Sequence, residues 1–127
     1  MARELHGVFF KLPDGSTAIR VNAGLPRARQ RFVWAHEIGH ALLTHSKPGE
    51  LVVELRSDIK GPDEAACDQF ASNLLMPEMT VRELCAQLGH PHNVDKAITL
   101  AQKFGVSKQA MRIRLQKLGL VYIPKTR

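Results

Sequence analysis

The chain of 127 residues is long enough for one globular domain with a modest core, and its 44% hydrophobic and 24% charged content excludes a disordered, collagen-like or disulfide-scaffold protein. Eighteen Lys and Arg against twelve Asp and Glu leave a formal charge of +6, which suits an acidic partner, nucleic acid or protein, without choosing between them. No apolar run approaches a membrane span, and Met1-Ala2-Arg3-Glu4-Leu5-His6 lacks the apolar segment of a signal peptide, so the expected compartment is the cytoplasm.

Residues 5–10 and 17–22 read as two strands of a hairpin, joined by the turn-forming Pro13-Asp14-Gly15-Ser16. Pro26 suits the first turn of a helix, in which Phe32, Ala35, Ile38, Gly39 and Leu42 recur at helical spacing as far as His45, before Pro48-Gly49 ends it. Glu50 to Arg56 is a candidate third strand. Gly61-Pro62-Asp63-Glu64 opens a second helix with acidic residues where the helix dipole favours them, and Met76-Pro77 closes it. Three shorter helices follow at about 79–88, 94–104 and 108–118. Cys67 and Cys85 form no Cys-x-x-Cys pair and lie in apolar helical contexts, which fits reduced, buried thiols.

His36-Glu37-Ile38-Gly39-His40 matches H-E-x-x-H inside the first helix. Residues four apart lie one turn above each other, so both imidazoles can face one metal ion. Glu37 can then reach a water on that ion without being a ligand; zinc would bring the water's pKa to about 7, and Glu37 would carry its proton to the leaving amine. A zinc peptidase needs a third protein ligand and an open fourth position. The metzincin extension is excluded, because Leu43 and Ser46 stand where it needs Gly and His. His45, about 500° round the helix from His40, points away from the metal face. Glu64 is the preferred third ligand: it and Asp68 are four apart on the second helix, so Asp68 can accept the spare N–H of a ligand histidine. Glu50, Glu54, Asp58 and Asp63 remain alternatives, and His45, His90, His92, Arg114 and Tyr122 are all possible transition-state electrophiles.

The stretch from Arg31-Phe32-Val33-Trp34-Ala35-His36-Glu37-Ile38-Gly39-His40, followed by Glu64-Ala65-Ala66-Cys67-Asp68-Gln69-Phe70-Ala71-Ser72-Asn73-Leu74-Leu75-Met76-Pro77, resembles the ImmA/IrrE family of zinc-dependent metallopeptidases. The resemblance extends over nearly all of residues 15–122. It implies His36, His40 and Glu64 as zinc ligands and Glu37 as general base. Asp68 stands where the family commonly has Asn, and Cys67 where it commonly has Ala. Family members often cut a helix-turn-helix repressor encoded nearby, in mobile-element or stress responses, so the implied partner is a transcriptional repressor as protein substrate.

The C-terminal Ala101-x3-Gly105-Val106-Ser107-x2-Ala110-Met111 has helix-turn-helix spacing, and its second helix carries Lys108, Gln109, Arg112 and Lys117. Packing or protein recognition is favoured over direct DNA reading, since one short recognition helix offers a single weak half-site. The expected fold is α+β: a small antiparallel sheet packed on the H-E-x-x-H helix and the glutamate helix, with a helix-turn-helix-like C-terminal region. It is expected as one domain over 1–127, with a catalytic core at 1–77 and the helical region at 78–127. The expected function is a zinc metalloendopeptidase, with no membrane partner. The rival is a non-proteolytic DNA-binding regulator or toxin–antitoxin component that keeps the zinc fold; the presence of Glu37 argues against it.

Overall fold

The computed structural model describes residues 5–43, 51–55, 62–89 and 96–120. In chain order these form β1 (Leu5–Lys11), β2 (Thr17–Val21), α1 (Arg27–Leu43), β3 (Leu51–Leu55), α2 (Pro62–Leu75), α3 (Glu78–Gln87), α4 (Lys96–Phe104) and α5 (Lys108–Lys117). The protein is α+β, with every element expected from the sequence present to within a few residues; the expected start of the fourth helix at 94 lies outside the described residues. Among the described residues no helix is long and apolar enough to cross a membrane.

The chain divides into two compact units, residues 1–71 and 72–127, with the boundary inside α2. In the first, β1 is the central strand of an antiparallel sheet of order β2-β1-β3. Its hairpin register runs from Gly7 opposite Val21 to Lys11 opposite Thr17. The connecting turn is held by Asp14 Oδ1, which accepts from the Ser16 amide at 2.9 Å, and by Gly15 at φ +89°, a left-handed conformation that suits glycine. On the other edge β3 pairs with β1, with a bulge between Leu5 and Gly7.

The expected apolar stripe of α1 is buried at Ala35 and Gly39 and half-buried at Phe32 and Ile38, and it fails at Leu42. The buried residues of the helix are Val33, Ala35, His36, Glu37, Gly39 and His40, while Leu42 is 67% exposed and Trp34 46%. The helix is rotated to bring the polar motif inward, against β1. Gly7 marks the contact: a Cβ there would come within 2.7 Å of Val33 Cγ1 and 3.5 Å of Glu37 Oε1, so only a glycine lets the strand pass this close.

The second unit is helical, around a core of Met76, Val81, Cys85, Ala97, Leu100, Ala101, Val106, Met111 and Leu115. Gly105, at φ +67°, makes the turn between α4 and α5, and the Ser107 hydroxyl caps α5 by accepting from the Ala110 amide at 3.0 Å. Arg114 is buried here and donates from Nε to the Met76 carbonyl at 3.0 Å, so its guanidinium is engaged within this core.

Candidate metal centre

The three motif residues of α1 are deeply buried: His36 and His40 are 3% exposed and Glu37 is 0%. Their rings stack edge to face with centroids 4.9 Å apart, as the one-turn spacing requires, and buried Phe9 of β1 lies 6.2 Å from the His40 ring. Glu64, in the first turn of α2, places its two carboxylate oxygens against the two imidazoles, with Oε2 at 2.9 Å from His36 Nε2 and Oε1 at 3.0 Å from His40 Nε2. One turn further on, Asp68 Oδ1 lies 2.7 Å from His36 Nδ1. His36 is thereby held from both ring nitrogens, with its Nε2 directed at the point where His40 and Glu64 converge.

This donor set fits a divalent ion. The Glu64 oxygens lie 2.9 and 3.0 Å from the two imidazole nitrogens, near the roughly 3.3 Å between neighbouring ligand atoms in a tetrahedral zinc site, and Asp68 sits behind His36 as an orienting acceptor. The two helices come together here because of Gly39. A Cβ at that position would lie 3.2 Å from Cys67 Cα and 3.2 Å from the Phe70 ring, so the glycine lets α1 approach the backbone of α2. A glycine within an otherwise helical pattern was the sequence signal for this close approach.

Cys67 belongs to the same cluster, which sequence spacing did not bring out. Its Sγ and one ring nitrogen each from His36 and His40 all lie within 4.8 Å of one another. Both cysteines are free and buried, as expected. In the metal-free protein burial pushes the Cys67 thiol up to about 12 from the usual 9.0, helped by the negative charges of Glu64, Glu37, Asp63 and Asp68. Two candidates thus exist for the third donor; the Glu64 oxygens lie within 3.0 Å of both imidazoles. Of the alternatives named from sequence, Asp63 is exposed at the start of α2, Glu54 lies on β3 opposite Gly7, and Glu50 and Asp58 fall outside the described residues. His45, His90, His92 and Tyr122 also lie outside them.

An antiparallel sheet over a helix that carries H-E-x-x-H, facing a second helix with a glutamate, defines a metallopeptidase-type centre. The model of the IrrE N-terminal-like domain family, Peptidase_M78, matches residues 4–116, and the chain belongs to this metallopeptidase family. It is also 33% identical over 76 residues to the radiation response metalloprotease IrrE of Deinococcus radiodurans, an alignment covering 56% of this chain and 23% of that protein. No solved structure matches the chain significantly.

Proposed function

We propose that the protein is a cytoplasmic zinc metalloendopeptidase whose substrate is a regulatory protein, such as a helix-turn-helix repressor. The observation that carries this reading is the convergence of His36 Nε2 and His40 Nε2 on Glu64 with Glu37 buried on the same helix. His36, His40 and Glu64 would hold the ion, which when bound supplies a Lewis acid that polarises the scissile carbonyl and acidifies the attacking water. Asp68 fixes the His36 tautomer so that Nε2 presents its lone pair. Glu37, buried beside Gly7 of β1, takes the proton from the attacking water and delivers it to the leaving amine. Its burial against Gly7 keeps the carboxylate in a dry, fixed position.

The test is to mix the zinc-loaded protein with the transcriptional regulator encoded beside its gene. One defined cut is expected, with Glu37→Gln retaining the metal and losing hydrolysis. Equal cleavage by Glu37→Gln would remove the peptidase assignment.

A second reading, DNA binding, draws on the α4–α5 pair, whose short turn at Gly105 and exposed Lys108, Gln109, Arg112 and Lys117 fit a helix-turn-helix. It stands below the peptidase reading because no second recognition helix accompanies the first among the described residues. Sequence-selective duplex binding tighter than about 10⁻⁷ M, lost in Arg112→Ala, would reverse that order.

A further inference from the structure

Cys67 is a donor that the proposed mechanism does not use. Its side chain is fully buried, and α2 sets it three residues after Glu64 and one before Asp68, on the face that meets His36 and His40. The residue lies where α2 crosses Gly39, and that crossing demands a small side chain. Alanine or serine would satisfy the packing equally; what a cysteine adds is a soft ligand atom. With metal–nitrogen bonds of about 2.0–2.1 Å and a metal–sulfur bond of about 2.3 Å, sulfur and nitrogen donors of one tetrahedral ion stand about 3.5 Å apart. The thiol and both imidazoles already lie within 4.8 Å of one another, so side-chain torsions alone can close the difference.

We propose that Cys67 is the fourth ligand of the resting metal centre, closing it as a His36, His40, Glu64 and Cys67 set. This rests on the metal-centre reading above. Coordination breaks the S–H bond and forms a sulfur–metal bond, the proton leaves to solvent, and no electron changes hands. A four-ligand centre has the composition of a structural site, whereas hydrolysis needs a position for water. The thiolate therefore makes the resting centre latent, and an incoming substrate must displace it. Sulfur at the centre also shifts its preference toward soft cations such as Cd²⁺. Cys85 has no such role, being packed in the helical core of the second unit.

The experiment is Co²⁺ titration of the full-length metal-free protein, read by absorption. Wild type should show visible ligand-field bands of a four-coordinate ion together with a near-ultraviolet thiolate-to-cobalt charge-transfer band. Cys67→Ala and Cys67→Ser should lose the second and keep the first, and Cys85→Ser should keep both. In competition, the ratio of Cd²⁺ to Co²⁺ affinity should fall by about tenfold or more in both Cys67 variants. Visible bands with no charge-transfer band in wild type would overturn the cysteine ligand while leaving the metal centre intact. Absence of cobalt binding in every form would overturn both.

Discussion

Glu64 and Asp68 are a single helical turn apart and differ in what they touch. Glu64 meets both imidazole Nε2 atoms, whereas Asp68 meets the far nitrogen of His36. With His36, His40 and Glu64 as the proposed ligands, removing Asp68 leaves all three present and releases the orientation of one of them, which should cost about 10–100-fold in metal affinity. Removing Glu64 deletes a ligand and should cost more. Chelator competition on Asp68→Ala and Glu64→Ala gives the comparison, and equal losses would mean that Glu64 is not a ligand. Cys67 yields a pH test in the metal-free protein. Its pKa is raised from 9.0 to about 12, chiefly by burial, so the folded state holds the proton more tightly than the unfolded state. The resulting stability is complete below pH 9 and is lost as the pH rises toward 12. Urea midpoints measured with chelator present should therefore fall more steeply over this interval in wild type than in Cys67→Ser. Parallel pH dependences would contradict the buried, negatively flanked thiol.

At the scale of the element, the crossing of α1 and α2 at Gly39 sets the distance between the imidazoles and Glu64. Alanine in place of glycine gains about 1 kcal/mol of helix propensity but forces a Cβ to within 3.2 Å of the Cys67 backbone, an overpacking that costs about 1–3 kcal/mol. The backbone cannot move aside as a side chain would, so the clash prevails. Gly39→Ala is expected to separate the helices by a few tenths of an ångström and to weaken metal binding at least tenfold, with far-ultraviolet circular dichroism unchanged. Undiminished metal affinity would show that the crossing does not govern the site. Element positions were legible in the sequence because turn and cap residues such as Asp14-Gly15, Pro26, Pro62 and Ser107 act locally. The inward face of α1 was legible only in part: Ala35 and Gly39 of the apolar stripe are buried, but hydrophobic spacing also assigned Leu42 to that side, whereas the helix buries His36, Glu37 and His40 and leaves Leu42 exposed. Periodicity weighs apolarity and has no means of counting what two histidines and a glutamate gain from facing one centre. The pairing of Glu64 with Asp68 could be read from their spacing of four, while the approach of Cys67 to the histidines depends on how two helices cross, which no single-helix spacing encodes.

At the scale of the molecule, each compact unit has its own interior, and the two interiors differ in kind. The second unit packs Met76, Val81, Leu100, Met111 and Leu115 around Arg114, whose Nε is satisfied by a carbonyl. The first buries His6, His36, Glu37 and His40 among Phe9, Leu25, Val33, Ala35, Cys67 and Ala71, several of them small side chains. Desolvating ionisable groups is costly unless they are well partnered, and a bound cation is a strong partner for this set. Metal at a hundredfold excess over Kd stabilises the folded state by about 2.7 kcal/mol, which for a unit of this size raises Tm by about 10 °C or more. Calorimetry with and without chelator measures it, and an unchanged transition would show that the polar interior stands without the ion. The same interior has a consequence for turnover. Because the candidate ligands are also part of the packing, a chain deprived of its ion would be opened more often to proteases. Its steady-state abundance would then follow metal supply, so that scarcity lowers the number of molecules present.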